Sequence, residues 1–220
     1  MISAIICDTS AFLEGGADAR AFIKDSASCG PREAERRAAY KLLSCLYSLL
    51  CPDSPMPEIR RREGGKPYFD SGELSFSISY RPGVALVAIS DGGEIGADVE
   101  LIVPGREERM RALIARYAGK AETTELTSEG ISLSVATMDA EGNIEIHNKN
   151  DNIRLHNRVK ENENTPWVDW TVLEAVMKAH GSGLADYVRF GELLNSTLTA
   201  SYTLTLGDFE CAVTLAKREG

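Results

Sequence analysis

Three short β-branched runs, at 74–80, 84–90 and 95–102, constrain the fold most. Pro82-Gly83 separates the first two and Asp91-Gly92-Gly93 the last two. Turns this tight join antiparallel neighbours, so the segment predicts a three-stranded meander. A β-branched run at 1–7 predicts an earlier strand, and runs at 198–206 and 210–216 predict a last hairpin about Gly207-Asp208.

Two helices stand out against these strands. In 31–51, Ala38, Leu42, Leu43, Leu46, Leu49 and Leu50 recur at helical spacing behind Pro31, which suits a first turn. Its early turns carry Arg32, Arg36, Arg37 and Lys41. In 166–180, Thr165-Pro166 makes a capped start and Gly181 a stop. A third helix is predicted at 106–117, and a polar hairpin at 131–146 turns at Asp139-Ala140-Glu141-Gly142-Asn143. Helices and mainly antiparallel strands together predict an α+β fold.

Two groups of side chains bear on chemistry. Asp98 and Glu100 alternate on the predicted strand, so both carboxylates leave one face. Paired acids repel unless a cation joins them, and oxygen ligands suit Mg²⁺. On its own such a pair more often marks a solvated strand face. Trp170, Glu174 and Lys178 are spaced by four, giving one stripe along the second helix. Alone, that stripe also reads as an aromatic anchor with a surface ion pair.

Composition narrows the partners. The chain has 220 residues and a formal net charge of −9, which argues against a general nucleic-acid binder. It leaves room for a small basic pocket. The five cysteines (Cys7, Cys29, Cys45, Cys51 and Cys211) have no CxxC pair and no ligand pattern with His147, His156 or His180, so they read as reduced thiols. No apolar run reaches the ~20 residues of a membrane helix. The expectation is a cytoplasmic protein.

The two chemical groups occur in an order that resembles the 4′-phosphopantetheinyl transferases. That family carries a Gly-x-Asp-x-Glu strand and, downstream, a Trp-x-x-Lys-Glu-Ala-x-x-Lys-x-x-Gly-x-Gly-Leu helix. Here stand Gly96-Ala97-Asp98-Val99-Glu100 and a segment in which Trp170, Glu174, Ala175, Lys178, Gly181, Gly183 and Leu184 match. Gly65-Lys66-Pro67 and Phe76-Ser77-Ile78-Ser79-Tyr80-Arg81 are similar to the family's Gly-Lys-Pro and Phe-Asn-x-Ser-His-Ser segments, and Glu33 and Arg37 to a pair on its first helix. The similarity covers 30–122 and 166–216. It is nearest the larger, monomeric type that serves peptide and polyketide synthetases.

The resemblance implies two similar α/β halves, a pseudo-dimer in which each half packs a helix on a mainly antiparallel sheet. The division falls at 1–97 and 98–220, with a hairpin-like insertion at 123–165. It implies a holo-acyl-carrier-protein synthase activity: Mg²⁺-dependent transfer of the phosphopantetheine arm of coenzyme A to a serine of an acyl or peptidyl carrier protein, releasing 3′,5′-ADP. Asp98, Glu100 and Glu174 would hold Mg²⁺. Glu174 and Lys178 would be catalytic. Arg37, Lys66, Ser79, Tyr80 and Lys178 would bind coenzyme A. Arg37 reads equally as a solvated helix residue, and Lys66 as ordinary loop chemistry. The expected partners are coenzyme A and a carrier protein, without nucleic acid or membrane.

Three departures stand beside the match. Tyr80 replaces the family histidine, Leu173 replaces the lysine before the helix glutamate, and Tyr117-Ala118 stands where the family has a double phenylalanine. A non-catalytic relative that binds a carrier protein or a nucleotide like coenzyme A is the alternative these departures support.

Overall fold

A computed structural model describes residues 1–14, 32–71, 73–117, 124–125, 130–147, 156–157, 166–182 and 190–219. The described strands are β1 (Ile2–Asp8), β2 (Ile59–Arg61), β3 (Pro67–Phe69), β4 (Ser75–Arg81), β5 (Val84–Ser90), β6 (Ile95–Leu101), β7 (Thr124–Glu125), β8 (Ile131–Met138), β9 (Ile144–His147), β10 (His156–Asn157), β11 (Thr197–Leu206) and β12 (Phe209–Arg218). The helices are α1 (Ser10–Glu14), α2 (Glu33–Leu50), α3 (Glu107–Tyr117), α4 (Pro166–His180) and α5 (Phe190–Asn195). The fold is α+β, as expected.

Two larger sheets face each other. The first runs β4-β5-β1-β8-β9, and the second runs β10-β11-β12-β6 with β7 beside β11. Ile6, Leu86 and Leu133 of the first sheet pack with Val99, Val213 and Leu215 of the second in one buried cluster. On the outer face of the first sheet, α2 buries Leu42, Leu43 and Leu46 against Phe69, Phe76 and Val87. On the outer face of the second, α4 buries Leu173, Val176 and Ala179 against Ala212 and Ala216. The two layers share this plan of helix on sheet and differ in strand order, with β1 central and parallel to β8 in the first.

One expectation is corrected. The meander ends after two strands: β4 and β5 are antiparallel neighbours, but β6 leaves them and pairs with β12. β1 takes the place beside β5. The turn at Asp91-Gly92-Gly93 therefore carries the chain from one sheet to the other. Strand pairing crosses the 97/98 position, because β6 spans it within the second sheet while β8 and β9 join the first. The hairpin at 131–146 forms, with Met138 opposite Ile144. Ala118, Thr165, Gly183, Leu184 and Cys29 lie outside the described residues.

Packing explains one motif glycine. A side-chain carbon at Gly96 would lie 1.8 Å from the carbonyl oxygen of Ala175 and 2.6 Å from the amide nitrogen of Ala179. Only glycine lets α4 approach β6 this closely. That approach sets the α4 side chains directly over the strand that carries the acids. The helix then ends as its sequence predicts: Gly181 has φ +65°, and the Ser182 amide donates to the Met177 carbonyl.

Candidate active site

β4 and β6 are the facing edge strands of the two sheets. An edge strand leaves backbone groups without ladder partners, and here side chains take them. The Ala97 amide donates to Ser77 Oγ at 2.9 Å, and the Ala97 carbonyl accepts from Lys178 Nζ at 3.0 Å. Ser77, Ser79 and Arg81 alternate along β4, so one face of that strand presents three polar groups to β6.

Asp98 sits at the centre of this seam and is 1% exposed. Its Oδ1 accepts from Ser79 Oγ and from Lys178 Nζ, both at 2.7 Å. Its Oδ2 is buried and accepts no hydrogen bond. Such an atom is costly to bury and marks a place where a further donor or cation would be stabilised. Two residues on, Glu100 is held by Arg81. The guanidinium Nε donates to Oε2 at 2.8 Å, and Nη2 donates to Oε1. This two-bond fork is the strongest arrangement available to a carboxylate and an arginine. Burial opposes the charge of Arg81. Its bonds to Glu100 and the charges of Asp98, Glu100 and Glu174 outweigh burial and hold its pKa above the ordinary arginine value.

The stripe on α4 forms as predicted. Trp170, Glu174 and Lys178 are half-buried, while Leu173, Ala175 and Val176 between them are buried. The family's lysine position is therefore an inward one here, and Leu173 fills it as part of the core.

Beside the seam lies a cavity of about 270 Å³. Its lining includes Arg32, Arg36, Arg61, Arg81 and Lys178, together with Ser79 and Tyr80. Five cations line this one cavity in a chain of net charge −9; three of them, Arg36, Arg81 and Lys178, are paired with Glu33, Glu100 and Asp98. A smaller slot of about 170 Å³ adjoins it, sharing Pro67, Ile78 and Lys178 and adding Phe76.

The expected site residues divide into two groups. Ser79, Tyr80, Asp98, Glu100 and Lys178 come together at the seam and cavity. Glu174 lies near enough for its charge to act on Arg81. Arg37 and Lys66 do not line the larger cavity, but Lys66 lines the adjoining slot. Arg37 pairs with Glu33 on its own helix, and the cavity takes its neighbours Arg32 and Arg36. Lys66 donates to Glu94 at 2.6 Å, to the Ile95 carbonyl at 3.1 Å and to the Ala179 carbonyl at 3.4 Å, tying β6 to the end of α4. Arg32, Arg36, Arg61 and Arg81 are the lining cations that were not assigned in advance. The signal for two of them was present: Arg32, Arg36 and Tyr40 are four apart and share a helix face.

Among the described residues, no group of three or more His, Cys, Asp or Glu is arranged to hold a metal ion. Asp98 Oδ2 suits a cation, but both oxygens of Glu100 are taken by Arg81. The arrangement does not fit a metal centre built on Asp98, Glu100 and Glu174. The described thiols are free; burial pushes Cys7 and Cys211 up to about 12, consistent with inert core residues.

The fold and site define an α+β protein with a basic cavity beside a carboxylate seam. Comparison with known proteins finds similar chains. The 4′-phosphopantetheinyl transferases AcpT of Salmonella typhi and Salmonella typhimurium are each 27% identical to the chain over 149 residues, covering 67% of this chain. The matched region spans 62% of those relatives, less than two thirds of their length. AcpT of Escherichia coli K12 is 28% identical over 181 residues, 82% of this chain and 74% of that protein. The chain matches no family model. The chain is thus similar to proteins named 4′-phosphopantetheinyl transferases. No described helix is long and apolar enough to cross a membrane.

Proposed function

We propose that the chain transfers the 4′-phosphopantetheine arm of coenzyme A to a serine of an acyl or peptidyl carrier protein and releases 3′,5′-ADP. The observation that carries this reading is the cavity of five cations next to the Asp98–Lys178 seam. Arg32, Arg36 and Arg61 suit the phosphates of the nucleotide half, where charge-assisted hydrogen bonds are strongest. The adjoining slot, with Pro67, Phe76 and Ile78, suits the uncharged arm.

In the reaction the carrier serine oxygen attacks the phosphorus that bears the arm. The bond from that phosphorus to the bridging oxygen breaks, and 3′,5′-ADP leaves with the electron pair. Lys178 stands between seam and cavity and supplies positive charge as the phosphoryl oxygens gain negative charge. Asp98 fixes that ammonium, and Ser79 fixes Asp98. Glu174, one turn before Lys178, is assigned to accept the serine proton. The Mg²⁺ of the family would polarise the diphosphate when bound. The carboxylates as arranged do not fit it, and no step here runs through it.

A second reading has its own support. Tyr80 and Leu173 remove two cationic positions of the family pattern, and a basic cavity also serves a binder of coenzyme A that performs no transfer. Incubation with coenzyme A, Mg²⁺ and a panel of apo carrier proteins separates the two by intact mass. The transferase reading expects the phosphopantetheine mass on a carrier, and its loss with Glu174→Gln and Asp98→Ala. Binding of coenzyme A without transfer to any carrier would favour the binder.

A further inference from the structure

In the carboxylate seam, each acid on β6 already has a cation. Lys178 bonds Asp98, and Arg81 forks Glu100. With both of these carboxylates already paired to side-chain cations, little negative charge on β6 is left to draw a divalent ion. Arg81 does not stand at the seam by accident of exposure. It is the last residue of β4, on the face that already carries Ser77 and Ser79, and the positive-φ turn at Gly83 follows it. Its Nη1 also donates to the Tyr80 carbonyl at 2.9 Å, which fixes the plane of the guanidinium. An arginine has five N–H donors, and these bonds leave some of them unengaged. The same side chain lines the basic cavity.

We propose that Arg81 serves as the resident cation of this site in place of a divalent metal. Its guanidinium neutralises Glu100 and offers its remaining N–H groups to a diphosphate anion in the cavity. Diphosphate binding is then independent of a divalent cation, and a metal reaches Glu100 only by displacing Arg81. This deepens the transferase reading and rests on it for the chemistry of the ligand. An arginine is suited to the task because its planar fork matches carboxylate and phosphate oxygens alike.

The test uses the full chain, with Mn²⁺ followed by its free-ion EPR signal and inorganic pyrophosphate by calorimetry. Wild type is expected to bind pyrophosphate in EDTA, and to bind Mn²⁺ weakly. Arg81→Ser frees Glu100, so Mn²⁺ should bind about tenfold tighter or better while pyrophosphate binding in EDTA falls about tenfold. Adding Glu100→Gln to Arg81→Ser should erase the gained Mn²⁺ affinity. Arg81→Lys keeps the charge without the fork and should keep part of the pyrophosphate binding, which answers the question if the serine variant fails to fold. Equal Mn²⁺ affinity in wild type and Arg81→Ser would overturn the proposal, as would wild-type pyrophosphate binding that requires a divalent ion. If pyrophosphate binds in EDTA but coenzyme A neither binds nor reacts, the transferase reading falls and the role of Arg81 stands. If coenzyme A reacts only with a divalent ion and pyrophosphate binding also needs one, Arg81 loses its role and the transferase reading stands.

Discussion

The two ends of β6 are built from the same materials and do different work. At its start, Glu94 is met by Lys66 and Arg62, and the Lys66 ammonium goes on to the Ile95 and Ala179 carbonyls. Lys66 thus spends its three donors inside the protein. Toward its end, Asp98 is met by Lys178 and Ser79, and Glu100 by Arg81. There one carboxylate oxygen is left without a hydrogen bond, and the two cations also face a cavity. A lysine whose donors are all satisfied by backbone and carboxylate is a clamp. A lysine that shares its charge between a buried acid and an open cavity is available to a ligand.

The largest effect is expected where both ends depend on one contact. Gly96→Val would force α4 off β6, since even the first added carbon meets the Ala175 carbonyl at 1.8 Å. Thermal or urea unfolding should show a loss of about 3 kcal/mol or more, with anion binding lost alongside.

Next comes the site lysine. Lys178→Met leaves the carboxylate of Asp98, 1% exposed, without its cation. A stability loss of about 2–3 kcal/mol is expected, and Asp98→Asn in the same chain should recover much of it. Transfer should stay abolished in the double variant, which separates the structural cost from the chemical one.

Lys66→Met should cost less, about 1 kcal/mol, because Glu94 keeps Arg62 and a quarter of its surface. Its coenzyme A affinity should fall less than that of Lys178→Met, because Lys66 lines only the smaller slot and its ammonium is held by Glu94 and two carbonyls. A drop as large as that of Lys178→Met would erase the distinction between clamp and site.

The smallest effect is in acid. Burial works to raise the pKa of Glu94, but pairing with Lys66 and Arg62 outweighs it and holds the group below the ordinary 4.5. A depressed folded value means that its stabilisation is present above 4.5 and is lost as pH falls through the folded value. Glu94→Gln should therefore lower the melting temperature slightly at about pH 7, and the difference should shrink as pH falls below 4.5.

Much of this was legible in the sequence, and the reason lies in periodicity. Alternation put Asp98 and Glu100 on one strand face, and four-residue spacing put Trp170, Glu174 and Lys178 on one helix face. The element boundaries followed from glycine and proline. What periodicity does not encode is the identity of a strand's partner. The partner of β6 is β12, more than a hundred residues downstream, while the adjacent hairpin pattern pointed to β5. The rotation of α2 had the same character. Arg36 and Arg37 are neighbours in sequence but a helical step turns them about 100° apart; both pair with Glu33, and of the two Arg36 alone lines the cavity. The role of Arg81 is not legible in its motif, because its partner Glu100 is reached only when the two sheet edges meet.

The central claim is that the basic cavity beside the Asp98–Lys178 seam holds coenzyme A. The most direct measurement is calorimetric titration of coenzyme A into wild type, into the Arg36→Glu/Arg61→Glu double variant and into Arg60→Glu. Arg60 carries the same charge but pairs with Glu58 and Asp70 and does not line the cavity. The account predicts affinity more than about tenfold weaker for the double variant and unchanged for Arg60→Glu. Equal affinity in all three proteins would contradict it.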